Sequence, residues 1–276
     1  LELKQKLNVR WVADFRDPWT TIGYHKEFKL LEFAANKHKQ LENKVLNNAD
    51  LILVTSPSTR AEFKKITSKP IEVITNGFDV EKIGNQIVDK KFSLAHIGSF
   101  LSERNPRILW ESISELIREN PLFASHFQLK LIGAISQEVL DSIALFQLQN
   151  YVNNLGYVSH DEAIVHQKKS QVLLLIEINS EDTKSIIPGK LFEYLVSERP
   201  IIGVGPKGCD FAEIIIDTNT GVFVDYSEKE KLKNYIANYF SLFLEGNLKS
   251  NGVGLQKYSR KNLTEKLANL LNRKTL

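Results

Sequence analysis

Val172-Leu173-Leu174-Leu175-Ile176 is a run of five apolar residues, and Pro200-Ile201-Ile202-Gly203-Val204 is another farther on. Between them lies Pro188–Val196, which opens on proline, a residue favoured in the first turn of a helix. A short run that is apolar on both faces is the pattern of a strand inside a parallel sheet. Strand, helix, strand in that order builds such a sheet with helices on its faces. The alternation continues in both directions. Upstream, Phe92–Ile97, Phe127–Ile132 and Val152–Val158 read as strands, with helices over Ile108–Arg118, Ser136–Phe146 and Asp161–Lys168, the last capped by Ser159. Downstream, Gly221–Val224 reads as a strand, followed by helices over Lys231–Phe243 and Ser259–Asn272. The final helix carries Leu263, Leu267, Leu270 and Leu271 on one face.

A shorter series precedes these. Val9–Phe15, Leu51–Val54 and Ile71–Ile74 read as strands, with helical stretches in Phe28–Asn48 and Ser58–Ile66. Asp79–Lys91 is polar without a period and reads as a linker. Three strands do not complete a doubly wound domain. The expected fold is therefore α/β, in three parts. Residues 1–88 are the C-terminal part of an N-terminal Rossmann-like domain. Residues 89–258 are a complete doubly wound parallel-sheet domain, and residues 259–276 are a terminal helix. The chain begins at Leu1 and has no methionine, so it is expected to be a fragment.

Composition narrows the function classes. Of 276 residues, 42% are hydrophobic and 25% charged, which excludes disordered and fibrous chains. No apolar run approaches the roughly 20 residues that span a bilayer. The single cysteine, Cys209, excludes an internal disulfide and a cysteine-based zinc site. With scattered histidines and no Asp-x-Asp pair, no metal site and no cofactor are expected. The net charge of +3 comes from interleaved Lys, Arg, Asp and Glu, so no nucleic-acid stripe stands out. An attraction to anionic lipids is compatible with it. The expected location is cytoplasmic, with peripheral membrane contact compatible.

Gly203-Val204-Gly205-Pro206-Lys207-Gly208 fits a dinucleotide fingerprint, yet the chain after it is too short for a dinucleotide domain. It reads as a tight structural turn. Ile187-Pro188-Gly189-Lys190-Leu191-Phe192-Glu193-Tyr194 is more informative. A helix N-terminus offers free N–H groups and partial positive charge. Lys190 sits in that first turn, where a cation is disfavoured unless an anion is bound nearby. Glu193, one turn on, is placed to accept hydrogen bonds from hydroxyls. The alternative is a surface Lys–Glu pair. A second cluster, Asp14-Phe15-Arg16-Asp17-Pro18-Trp19, ends a parallel strand, the edge at which open α/β sheets bind ligands. Its alternative is an Arg–Asp network that fixes the loop.

Taken in order, several segments resemble the GT-B glycosyltransferases of family 4. They are the 187–194 segment, Ile97-Gly98-Ser99-Phe100, Arg104-Asn105-Pro106, Leu155-Gly156-Tyr157-Val158 and Val73-Ile74-Thr75-Asn76-Gly77-Phe78-Asp79. The last is similar to the family's interdomain hinge. The resemblance implies a retaining, metal-independent transfer of sugar from a UDP- or GDP-sugar to a hydroxyl of a glycan or lipid-linked acceptor, in bacterial surface polysaccharide or glycolipid synthesis. It implies that Glu193 binds the ribose hydroxyls. Arg104 and Lys190 hold the diphosphate and stabilise its departure, with Asn105 at the family's other basic position. Gly98 and Ser99 let the backbone approach the donor, as do Pro188 and Gly189 at the helix entry. Tyr157 and Val158 border the base. Asp14, Arg16 and Asp17 lie on the acceptor side, where Arg16 stands at a position often held by histidine. A family glutamate eight positions before Glu193 is replaced by Ser185, so the donor's sugar would be bound there by Ser185, Lys184 or the nearby Asp182; the alternative is a solvated polar loop. Two other readings stand beside this one. A sugar-nucleotide epimerase of the same fold needs a cleft rich in histidine and acid. A non-catalytic nucleotide-sugar binding protein would bind without turnover.

Overall fold

The computed structural model describes residues 1–79, 84 and 86–273. Its contacts divide the chain into two units. One comprises Leu1–Asp79, Glu181–Gly189 and Gln256–Leu276; the other comprises Val80–Ser180 and Lys190–Leu255. Residues 80–83 and 85 of the expected linker lie outside the described residues.

The first unit opens with helix α1 (Glu2–Leu7) and strand β1 (Val12–Phe15). Helix α2 (Glu32–Asn48), strand β2 (Leu51–Val54), helix α3 (Pro57–Phe63) and strand β3 (Ile71–Val73) follow. The three strands form a parallel sheet in the order β1-β2-β3. Alternation sorts the apolar residues of β2. Ile52 and Val54 join Ala13, Leu46, Phe63 and Ile71 on one face, while Leu51 and Leu53 face the other way. The expected strand from Val9 begins at Val12 instead. The reason is local: the Trp11 backbone N–H donates to the Asp50 carboxylate at 2.8 Å, while its carbonyl accepts from the Asp50 N–H. Phe28–Asn48 is likewise not one helix; a 3-10 segment over Gly23–Phe28 precedes α2.

The second unit alternates throughout. β4 (Phe92–Ile97) leads to α4 (Arg107–Glu119), α5 (Pro121–His126) and β5 (Phe127–Ile132). Then come α6 (Gln137–Leu145), β6 (Val152–Gly156), α7 (His160–Lys169) and β7 (Val172–Ile176). The series closes with α8 (Lys190–Leu195), β8 (Ile201–Gly205), α9 (Asp210–Asp217), β9 (Gly221–Asp225) and α10 (Lys229–Leu244). All neighbours pair in parallel, in the order β6-β5-β4-β7-β8-β9. This is the doubly wound order, with its reversal between β4 and β7. The central strands β4 and β7 are buried along their whole length. A cluster of Phe92, Phe123, Phe127 and Phe240 with Leu116 and Ile113 fills one side of the sheet. Truncating any one of these rings to alanine costs on the order of 3–5 kcal/mol.

Ser159 accepts from the Glu162 backbone N–H and Glu162 returns the bond to Ser159, a complete capping box for α7. Gly203 and Gly205 serve packing: a Cβ on Gly205 would lie 2.7 Å from the Phe211 ring and one on Gly203 2.9 Å from Ile215. Among the glycines of the 203–208 segment, Gly208 takes the left-handed conformation, at φ 75°.

The last helix, α11 (Arg260–Asn272), returns to the first unit. Its Leu263, Leu267 and Leu270 pack with Leu51, Leu53 and Ile74, and Ser259 caps it through the Asn262 N–H. Gly77 is tightly held here, since a Cβ would lie 2.5 Å from the Tyr258 carbonyl oxygen. Among the described residues, no helix is long and apolar enough to cross a membrane.

Candidate functional site

Ligands of open α/β sheets bind outside the carboxyl ends of the strands at the reversal of strand order. In the second unit that place lies beyond Ile97 of β4 and Ile176 of β7. Gly98 follows Ile97 with φ 112°, a conformation glycine takes without steric cost. Gly133, at φ 121°, follows β5, and a Cβ there would lie 2.5 Å from the Gly98 carbonyl oxygen. The two loops therefore pass at a distance that only glycine allows. Gly98 donates to Ile132 O at 2.7 Å and Phe100 to Ala134 O at 2.8 Å, which fixes the path toward Arg104.

Arg104 reaches across to the carboxylate that follows β7. Its Nε donates to Glu177 Oε1 at 3.1 Å and its Nη2 to Oε2 at 3.4 Å. The Glu177 side chain is 1% exposed, that of Arg104 28%. The backbone N–H of Ile178 also donates to Glu177 Oε1, at 2.8 Å. Tyr226 O–H donates to the Glu177 carbonyl at 2.8 Å.

Lys190 is the third charged group here. Its ammonium donates to Ile97 O at 3.0 Å and lies 3.4 Å from His96 Nε2. A Cβ on Gly98 would come within 3.3 Å of Lys190 Nζ. Burial, and after it the Arg104 charge, lowers Lys190 to about 8. His96 is fully buried and stacks on Phe100 with ring centroids 4.1 Å apart. Burial and the neighbouring Lys190 hold it well below the ordinary histidine range, so it is neutral. Its Nδ1 is buried without a partner among the described residues.

The helix expected from Pro188 starts at Lys190 and has six residues. Gly189 is a poor helix former, and Pro188 and Gly189 precede the helix rather than open it. The local positive charge thus rests on Arg104 and Lys190 more than on the dipole of so short a helix. Glu193 accepts from Gln167 Nε2 of α7 at 2.8 Å. Among the described residues it forms no ion pair with Lys190. Asn105 is committed elsewhere: it accepts from Trp110 Nε1 at 2.7 Å and donates to Ser142 Oγ at 2.7 Å and to Glu138 O at 3.2 Å. With those bonds made, Asn105 is a structural brace and not a phosphate ligand.

Gly98, Arg104, Lys190 and Glu193 therefore share the carboxyl edge of one sheet. Ser99 is exposed at the same loop, with its carbonyl 3.3 Å from His96 Nε2. Tyr157 follows Gly156 (φ 67°), where β6 stops short of the expected Val158; it is 90% exposed, and Val158 is half-buried. Ser185 is half-buried and, with Pro188 and Gly189, belongs to the segment grouped with the first unit. In that unit Asp14, Arg16 and Asp17 are exposed at the carboxyl end of β1. Arg16 donates from Nη2 to Asn76 Oδ1 and lies 3.8 Å from Asp14. Thr55 Oγ1 donates to its carbonyl at 2.8 Å. Among the described residues, no group of three or more His, Cys, Asp or Glu is placed to hold a metal ion.

Residues 91–241, more than half of the chain, match the family described as Glycosyl transferases group 1. The chain belongs to this family. Residues 1–82 match Glycosyltransferase Family 4. Among solved structures, sucrose-phosphate synthase of Thermosynechococcus elongatus aligns at a TM-score of 0.68 with 16% identity. That alignment covers 99% of this chain and 69% of the other. HepE of Anabaena, in complex with UDP and glucose, aligns at 0.71 with 14% identity over 98% of this chain and 73% of its own. WaaG, a glycosyltransferase involved in lipopolysaccharide biosynthesis, aligns at 0.67 with 13% identity over 99% and 80%. TarM, also matched, is covered over only 51% of its length. These likenesses show the fold, which is that of the GT-B glycosyltransferases. The sequence matches no protein of curated function.

Sequence reasoning overlooked two polar groups in this group 1 glycosyltransferase. Glu177 and His96 both lie at ends of buried strands, and the signal was a charged or titratable residue closing an otherwise apolar run.

Proposed function

We propose that this glycosyltransferase moves a sugar from a nucleoside diphosphate sugar to a hydroxyl of a glycan or lipid-linked acceptor. The observation that carries this is the placing of Arg104 and Lys190 together at the reversal of the sheet, where the buried Glu177 carboxylate is bonded to Arg104 alone. That leaves a net positive charge where a diphosphate would lie. The UDP and glucose in the HepE complex favour a nucleoside diphosphate donor of the same kind.

In the reaction the bond from the anomeric carbon to the β-phosphate oxygen breaks, and the acceptor oxygen bonds to that carbon. Negative charge grows on the departing phosphate. Arg104 and Lys190 stabilise it without a metal ion, each charge-assisted bond contributing on the order of 1.5–3 kcal/mol. The acceptor proton passes to the departing phosphate oxygen, and the new bond retains the anomeric configuration. Glu193, bonded to Gln167 through one oxygen, keeps its other oxygen for the ribose hydroxyls. Tyr157 borders the base, and Asp14, Arg16 and Asp17 belong to the acceptor side. A cytoplasmic location with membrane contact suits a lipid-linked acceptor; Leu31 and Phe33, 75% and 77% exposed beside Lys29 and Lys37, would meet the lipid.

Calorimetric titration with UDP, GDP and ADP in the presence of a chelator tests the reading. Binding of one nucleotide, lost in Lys190→Ala and in Glu193→Ala, is the expected result. No binding by a folded chain would sink it. Binding of the donor sugar nucleotide without turnover, in the presence of acceptor lipids and glycans, would turn the reading into that of a binding protein.

A further inference from the structure

The guanidinium of Arg104 has two usable edges, and the structure shows which one is taken. Its bonds to Glu177 use Nε–H and one N–H of Nη2. Nη1 makes no hydrogen bond among the described residues. The side edge is therefore occupied from within, and the end edge, Nη1 with the second hydrogen of Nη2, is left over. That end edge matches the spacing of two phosphate oxygens and gives a bidentate bond.

The anchor on the inner side is fixed. The Glu177 carboxylate also accepts from Ile178 N–H at 2.8 Å. Its backbone N–H donates to Val204 O at 2.9 Å, within the continuation of β7 beside β8. Tyr226 holds its carbonyl. The exposures run the same way: the carboxylate is sealed off, while the arginine is partly open to solvent. A buried carboxylate whose partner is only half-covered is costly as a stability device, because both ions lose water and only one is enclosed. The arrangement does suit a cation that must be aimed.

We propose that Glu177 is a positioning residue: it holds the side edge of Arg104 so that the end edge faces the diphosphate of the donor. This rests on the donor-site reading given above. Two effects of Glu177 oppose each other, which makes the sign of the result decisive. As a charge alone, Glu177 weakens anion binding, and Glu177→Gln would tighten it. As an aiming device, Glu177→Gln frees the guanidinium to rotate and weakens binding.

The test is calorimetric titration of the full chain with UDP and GDP, and with uridine and guanosine as controls. The variants are Glu177→Gln, Glu177→Asp, Arg104→Gln and the double variant Glu177→Gln/Arg104→Gln. Glu177→Gln is expected to weaken diphosphate binding about tenfold or more, in keeping with a charge-assisted bidentate bond, and to leave nucleoside binding unchanged. In the Arg104→Gln background the same change should have no further effect. Glu177→Asp keeps the charge but withdraws it by one methylene, and its loss should be intermediate. It also serves if the glutamine variant fails to fold. Unchanged or tighter diphosphate binding in Glu177→Gln, or in Glu177→Asp where the glutamine variant does not fold, overturns the proposal, as does an equal loss for nucleosides or an additive loss in the double variant. If the unsubstituted chain binds no nucleoside diphosphate, the donor-site reading falls and this inference with it. Binding that survives intact in Glu177→Gln removes this inference alone.

Discussion

Lys190 donates to the carbonyl of Ile97 at 3.0 Å, and no carboxylate lies within 4 Å of its ammonium among the described residues. A half-buried cation whose near neighbours are a neutral carbonyl oxygen and the neutral His96 ring suits the donor phosphate proposed above.

Lys190 is lowered to about 8 by burial and the Arg104 charge. Only the protonated form attracts phosphate. Nucleoside diphosphate affinity should therefore fall above about pH 8, by up to tenfold per pH unit, and Lys190→Arg should abolish that decline. Titrations between pH 6.5 and 9.5 read it directly.

The same lysine lowers stability. Unfolded, it binds its proton up to about 10.4, so between the two values the unfolded chain holds more protons and stability rises with pH. At pH 7 Lys190→Met should raise stability by about 1 kcal/mol while destroying phosphate binding. Denaturant melts set against nucleotide titrations would expose this trade, and a destabilised Lys190→Met would refute it.

His96 works in the opposite range. Burial keeps it neutral when folded, whereas an unfolded histidine takes up a proton near pH 6.5. Stability should be intact above pH 6.5 and fall as the pH drops below it, with a slope of up to about 1.4 kcal/mol per pH unit. His96→Phe, which keeps a ring against Phe100, should flatten that slope in thermal melts between pH 4.5 and 7.

Two glycines near the site should behave differently. Gly133→Ala places a methyl 2.5 Å from the Gly98 carbonyl at a φ of 121°. It should cost more than about 2 kcal/mol and displace the Gly98 loop, weakening nucleotide binding. Gly189→Ala meets nothing within 4 Å and should change stability by less than about 0.5 kcal/mol. Equal melting curves for the two variants would contradict this.

Away from the site, Lys130 is 3% exposed and bonds Asp89 at 2.8 Å, and Ser93 Oγ donates to the same oxygen at 2.7 Å. Asp89→Ala strands a buried cation and should cost about 3 kcal/mol or more, whereas Lys130→Met removes the cation itself and should cost less. Urea unfolding of the two variants ranks them.

What the sequence made legible follows from periodicity. Val172–Ile176 was readable to the residue because it is apolar throughout and buried on both faces, and Phe127–Ile132 because Phe127, Leu129 and Leu131 alternate along it. Ser159 was readable as a cap because its partner Glu162 stands three positions on. The short helix Pro121–His126 escaped, although Asn120 accepts from the Leu122 and Phe123 N–H groups ahead of it; six residues leave no period to see. Lys190 was visible from its place in a helix's first turn, and Arg104 through resemblance to a family. The fate of Asn105 was not, because it depends on Trp110, one turn along α4, and Ser142 of α6. Glu177 closes the apolar run of β7, which marks it as unusual, but its partner Arg104 lies 73 positions away, so the bond that turns it inward is not legible locally.

Trp110 offers a use beyond packing. Of the three tryptophans, Trp11 and Trp19 lie in the first unit and Trp110 in the second. Its indole N–H is tied to Asn105, the residue next to Arg104. With Trp11 and Trp19 replaced by phenylalanine, the emission of Trp110 becomes an optical gauge of the Arg104 loop, so the arrival of a phosphate can be followed as a change of colour and lifetime without labelling the protein.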